Sequence, residues 1–152
     1  MLGIGITSQN EMDAPKGPNG GPVWKAAFGY RGSGIAGGSG TTAIAGHVDD
    51  PLGRPAIFAR IQDLRLNDLI VVHDTRSGLD IRFVVTQTET YCIQQTADPS
   101  VLGQIDGAGP VSGKVPQPAP DGLSHLTLIT CSRYVVNGSF DHHVVVFATR
   151  GQ

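Results

Sequence analysis

The chain has 152 residues, 39% of them hydrophobic and only 16% charged, with a formal net charge of -2. That length carries one domain with a full core and no need of staples. Scattered Lys and Arg in a net negative chain exclude a nucleic-acid footprint, and no stretch reaches the roughly 18 apolar residues of a membrane span.

The residues after Met1 lack the basic-then-apolar pattern of a signal peptide. With 21 glycines and 10 prolines, the chain is one of many turns and short elements rather than long helices. Residues 1–40 form a Gly/Pro-rich segment expected to pack on the domain that follows. A short strand is expected at "LGIGI", and "PKGPNGGP" (15–22) and "RGSGIAGGSG" (31–40) read as loops. Between them "VWKAAFGY" supplies one apolar anchor patch, with the only Trp, Trp24, beside Phe28 and Tyr30.

From residue 41 the pattern sharpens. "TTAIAGHV" (41–48) is a short buried β run. "RPAIFARIQDL" (54–64) sets Ile57, Phe58, Ile61 and Leu64 at helical spacing, which predicts one or two helical turns. "DLIVVHD" (68–74), "LDIRFVVTQTETYCI" (79–93), "HLTLIT" (125–130) and "HVVVFAT" (143–149) are β-branched or aromatic-rich strands, the first two joined by a turn at "DTRSG". The sum is about seven or eight strands with little helix, and a mixed or antiparallel barrel is the natural way to hide that many edges. The stretch 96–124, rich in Gly and Pro, is long for a connection inside a compact domain. It reads as a loop that walls a substrate groove, against a plain flexible excursion.

Five histidines and two cysteines are the candidates for chemistry. His73 lies beside Asp74 at a turn and reads as a surface residue. His142 and His143 are adjacent on a strand and so face opposite ways, a poor chelating pair. No Cys/His spacing suggests zinc, and no cofactor is expected. His125 opens the strand that Cys131 closes, about 20 Å away. His47 stands apart: it follows the small residues of "AIAGH", which leave one face of its ring open, and precedes "VDD". Asp49 and Asp50 read as turn or cap residues rather than as partners that orient His47. Cys131 is either a small buried hydrophobe, half of a Cys92–Cys131 disulfide, or a nucleophile.

Taken together, "TAIAGHVD", "PAIFARIQDLRLNDLIVV", "TLITC" and "VVVFAT" occur in one order at sensible spacings. The chain resembles the sortase family, cysteine transpeptidases of Gram-positive cell surfaces, over about Thr41 to Thr149. The "GHVD...GRPAIFARIQDL" stretch looks most like the class F, actinobacterial-type branch. The resemblance implies an eight-stranded sortase-type β-barrel over 41–152, with one or two short helices and a long loop before the Cys strand. It implies a His–Cys–Arg site with His47 and Cys131, and a membrane anchor that would lie outside this sequence.

The family's Arg does not carry over cleanly, because His143 stands where the last strand would place it. Arg150 would fall at the far end from Cys131 if the last two strands form a hairpin, about 20 Å away. Arg133 lies at the correct end and is favoured, with a contribution from His142 or His143 left open. Thr130 matches the family's Thr beside the nucleophile, as a substrate-binding residue or a plain β-former. The implied substrate is an LPxTG-like sorting-signal peptide cleaved between Thr and Gly. The implied acceptor is an amine from a cell-wall peptide or a pilin lysine, and the enzyme is expected to be a monomer. The rival reading is a non-catalytic secreted β-barrel binding domain with a Cys92–Cys131 disulfide. An L,D-transpeptidase would need a "SHGC"-type setting absent here, and a papain-like protease has its Cys before its His.

Overall fold

The computed structural model describes residues 2–4, 22–30, 38, 40–50, 52–75, 77–92, 121–131, 135–136, 139–140 and 142–151. Its strands are β1 (Leu2–Ile4), β2 (Phe28–Tyr30), β3 (Thr41–Ala45), β4 (Leu69–His73), β5 (Asp80–Cys92), β6 (His125–Cys131), β7 (Val135–Val136), β8 (Ser139–Phe140) and β9 (His142–Arg150). Helix among the described residues is limited to two 3-10 turns, Pro22–Lys25 and Ile61–Asp63. The fold is mostly β, as the β-branched runs require.

Seven strands form one curled mixed sheet in the order β1-β2-β3-β6-β9-β5-β4, and β7 with β8 forms a separate ribbon. β1 pairs parallel with β2, and β3 pairs parallel with β6. The remaining ladders of the large sheet are antiparallel. The "DTRSG" turn joins β4 to β5 as read from the sequence. Asp74 accepts from Gly78 N–H at 2.8 Å through its carbonyl, and Gly78 takes the positive φ of 74° that the reversal needs.

The helical turns expected at 54–64 are present, and they are of the 3-10 kind. Here N–H groups bond to carbonyls three residues back, Ala59 to Ala56, Ile61 to Phe58, Asp63 to Arg60 and Leu64 to Ile61. That is the 3-10 pattern. The segment is tied to the end of β3 by Ala56 N–H to Val48 O and Phe58 N–H to His47 O, each 2.9 Å. These ties occupy donors that a longer α-helix would need in its own ladder.

Both faces of the sheet are packed. Ile44, Phe83, Val85, Leu126, Leu128, Val144, Val146 and Ala148 build the larger core with Ile61. Phe28, Ala43, Ile129 and Val145 build the second, flanked by Ala45, Tyr91 and Phe147. Alternate residues along β3, β6 and β9 thus enter two different cores, and each large apolar side chain fully buried contributes about 1.5–3 kcal/mol.

β5 changes faces midway. Val85 pairs with Ala148, but the next register pair is Gln87 with Phe147, so Thr86 is an extra residue that bulges. Its hydroxyl donates to the Phe147 carbonyl at 3.3 Å. Before the bulge Phe83 and Val85 face the larger core; after it Tyr91 packs on the second. A bulge re-aims the residues beyond it in this way. Among the described residues no helix is long and apolar enough to cross a membrane.

Candidate active site

Parallel pairing decides where the site lies. β3 and β6 run side by side from Thr41 opposite His125 to Ala45 opposite Ile129, so both strands finish at the same edge. The association continues past the last strand pair. Gly46 N–H donates to Ile129 O at 3.2 Å, and Thr130 Oγ1 donates to the Gly46 carbonyl. The ladder's last pair is Ala45 beside Ile129, two residues before His47 on one strand and Cys131 on the other. His47 and the backbone of Cys131 therefore share one rim.

The turn that presents His47 depends on its small neighbour. A Cβ at Gly46 would stand 2.8 Å from the Phe58 ring and 2.9 Å from the Ile57 side chain. Glycine is required there because Phe58 packs directly on the backbone. Past the histidine, Asp50 closes the turn: its Oδ1 accepts from Leu52 and Arg54 N–H, each 2.9 Å, and Oδ2 pairs with Arg54 Nε at 2.6 Å. Burial works against the charged Asp50 carboxylate, but the bonds from Arg54 and Leu52 outweigh it and hold the group below the usual carboxylate range. Asp50 is a turn residue, as read from the sequence.

The His47 ring is not left to solvent by its small neighbours. Trp24 lies against it with ring centroids 4.4 Å apart at 50°, and Phe28 meets it edge-on at 5.7 Å and 83°. Both aromatic residues are buried, Trp24 to 7% exposure and Phe28 to 1%. The Trp24 carbonyl also accepts from Ile57 N–H at 3.1 Å, which ties the amino-terminal turn to the segment after His47. These two aromatics went unassigned to the site in the sequence. The signal was present as the chain's only Trp in a Gly/Pro-rich stretch.

β9 and β5 extend the same rim. Cys131 pairs with His143 in the β6–β9 ladder, and His143 pairs with Tyr91 in the β5–β9 ladder. His143 and Tyr91 are each half-buried. Burial first, and the Glu89 carboxylate second, push the Tyr91 hydroxyl above its ordinary range. It stays protonated across the working pH range.

The other candidates are separated from this rim. His125 lies at the opposite end of β6, where both Asp121 carboxylate oxygens meet its Nε2 at 2.9 Å and Thr149 Oγ1 meets its Nδ1 at 3.2 Å. Arg150 is at that end too, its N–H bonded to Ser124 O at 2.8 Å. His73 is exposed and paired with Asp80 at 2.6 Å. Arg133 and residues 96–120 of the long connection lie outside the described residues.

The register also bears on a Cys92–Cys131 disulfide. Cys92 pairs with His142 and Cys131 with His143, so β9 runs between the two cysteines. Strands on either side of a third are about 9–10 Å apart. A disulfide spans at most about 7 Å between Cα atoms, so the two cysteines do not bridge in this sheet. No cluster of three or more His, Cys, Asp or Glu side chains that would hold a metal occurs among the described residues.

Comparison with known proteins agrees with this architecture. The family model described as Sortase domain matches residues 7–151. Among solved structures, sortase C-1 from Actinomyces oris aligns with a TM-score of 0.59 at 20% identity, over 84% of this chain and 57% of its own. Sortase A from Corynebacterium diphtheriae gives 0.59 at 20% identity over 83% and 48%, and the SrtA sortase from Actinomyces oris gives 0.57 at 24% over 83% and 62%. The chain thus spans about half to three-fifths of the length of these solved relatives, and the likeness to them is one of fold. No curated protein sequence matches.

Proposed function

The chain belongs to the sortase family, and we propose that it works as a cysteine transpeptidase on an LPxTG-like sorting signal, with Cys131 as nucleophile and His47 as acid and base. The observation that supports this most is the parallel β3–β6 ladder, which finishes at Ala45 beside Ile129, two residues before His47 and Cys131 respectively.

The chemistry runs in two halves. The Cys131 thiolate attacks the carbonyl of the signal's Thr, and the tetrahedral intermediate collapses by breaking the Thr–Gly bond. The departing amine takes a proton from the His47 imidazolium, leaving a thioacyl-enzyme. An incoming amine, from a cell-wall peptide or a pilin lysine, then gives its proton to His47, attacks the thioester and releases the Cys131 thiolate, restoring the thiolate–imidazolium pair. Trp24 and Phe28 restrict the ring's rotation, so His47 meets both amines from one direction.

Arg133, two residues past the nucleophile, is assigned to the substrate backbone and the developing oxyanion. An oxyanion donor of this sort is worth about 2–4 kcal/mol. Thr130 enters as the residue that braces the substrate-side end of β6: its hydroxyl bonds to the Gly46 carbonyl, one residue before His47. Residues 41–152 carry the catalytic barrel with 1–40 packed on it, and the wall of the peptide groove is assigned to the connection at 96–124. The "GHVD...GRPAIFARIQDL" stretch favours the class F branch. The place of action is the outer face of the membrane of a Gram-positive-type bacterium, as a monomer.

A fluorogenic LPxTG peptide, offered with and without triglycine, tests the proposal. Thiol-dependent cleavage is expected, with a triglycine adduct as product. Cys131→Ala and His47→Ala should each reduce it to background, and Arg133→Ala should cost at least about tenfold in kcat/KM. Unchanged turnover in Cys131→Ala would dispose of the mechanism.

A further inference from the structure

The rim that carries residues 47 and 131 holds a second histidine that the two-residue mechanism leaves idle. In the antiparallel β6–β9 ladder the register partner of Cys131 is His143. Directly opposed residues in such a ladder occupy the same face of the sheet, with Cβ atoms about 4.5–5.5 Å apart. An imidazole and a thiol at directly opposed positions of such a ladder come within reach of one another.

Three observations narrow what His143 can be. It is half-buried rather than solvent-facing, so its place beside residue 131 is a packed one. Its neighbour His142 falls on the alternate face, in register with Cys92, so only one of the adjacent pair can serve the rim. Finally, the bulge at Thr86 rather than simple alternation brings Tyr91 into line with His143, completing a row of residues 131, 143 and 91 across three strands.

We propose that His143 is a second imidazole of the active centre, a thiolate partner on the β9 side of Cys131 as His47 is on the β3 side. This rests on the reading of Cys131 as the nucleophile. In the step assigned to it, the Cys131 S–H bond breaks with its electron pair left on sulfur, and an N–H bond forms on the His143 ring. The proton on His47 then comes from solvent, so His47 keeps it for the leaving amine. The register neighbours of His143 are Cys131 on β6 and Tyr91 on β5, with Glu89 one alternation further along β5. Glu89 favours the imidazolium, and Tyr91 is neutral, so neither competes with the thiolate for the proton. The supporting cation is then one that vanishes as pH rises past the imidazole range, whereas a guanidinium would persist.

Site-resolved alkylation of Cys131 by iodoacetamide across pH, read by mass spectrometry, tests this without any substrate. The variants are His143→Gln and His143→Arg, each also in the His47→Ala background. In His47→Ala the alkylation inflection of Cys131 is expected to stay below that of an ordinary cysteine. Adding His143→Gln should slow alkylation near neutral pH at least about fivefold, and His143→Arg should restore the rate and hold it to higher pH. An inflection that does not move in His143→Gln overturns the proposal. So does a rate lost equally in His143→Gln and His143→Arg, since that marks packing rather than charge. Peptide turnover that survives Cys131→Ala would fail the transpeptidase reading instead, and the alkylation result stands apart from it.

Discussion

Each end of β6 has a histidine close by, one beside polar side chains and one beside aromatic ones. At the amino end, Asp121, His125 and Thr149 form a continuous chain of carboxylate, imidazole and hydroxyl, with contacts of 2.9 and 3.2 Å. Drawn on paper it resembles a hydrolase triad. Yet the carboxylate is about half exposed and the imidazole about a quarter exposed. At the carboxyl end, His47 is pressed between Trp24 and Phe28, and the parallel ladder brings it to the strand that ends in Cys131. The amino-end cluster fastens the chain where it enters β6, while the carboxyl end aims a ring.

The largest expected effect separates the two histidines directly. His47→Ala should abolish turnover of an LPxTG-like peptide, whereas His125→Ala should leave kcat/KM within about twofold, as expected for an exposed pair remote from the reacting atoms. Comparable losses in both variants, measured with matched thermal stability, would erase the distinction between the ends.

Gly46→Ala comes next. The added Cβ meets Phe58 and Ile57 closer than atoms pack, so the His47 turn must shift. Overpacking of this kind costs about 1–3 kcal/mol, visible as a lower urea midpoint, and kcat/KM should fall further than stability alone explains. A variant with full activity would show that the turn tolerates displacement.

The smallest effect sharpens the amino-end side of the comparison. The His125 hydrogen bond, with Leu123 N–H as a second donor, holds the Asp121 carboxyl below its ordinary value of 3.8. A depressed folded-state pKa gives stability that is complete above the unfolded value and is lost as pH falls through the folded one. Acid titration of thermal stability below about pH 4 should therefore be shallower in Asp121→Asn than in the parent chain. Activity near neutral pH should not change. Identical acid limbs would show that the pair contributes nothing.

Much of this was legible in the residues. Strand positions followed from β-branched runs, the "DTRSG" reversal from its turn residues, and the separation of Arg150 from Cys131 from counting along an assumed hairpin that the β6–β9 register now provides. The rest depended on contacts distant in sequence. The parallel β3–β6 pairing joins segments about eighty residues apart, and nothing local encodes it. The bulge at Thr86 falls inside an uninterrupted β pattern with no Gly to mark it. "AIAGH" suggested an uncovered ring, but the cover arrives from Trp24, and Gly46 serves the approach of Phe58 rather than access to His47. The helical spacing at 54–64 found Phe58, Ile61 and Leu64 turning inward but not that Ile57 stays exposed, and it did not reveal that backbone ties to residues 47 and 48 would tighten the turns to 3-10.

The account is tested most directly by trapping the covalent intermediate. The parent protein would be mixed with an LPxTG-like peptide without an added amine, quenched in acid and digested for mass spectrometry. The acyl fragment ending in the signal's Thr should be found on the peptide containing Cys131, and should build up less when triglycine is present. An acyl group on Cys92 or elsewhere, with cleavage continuing, would contradict the pairing of residues 47 and 131 as the reacting centre.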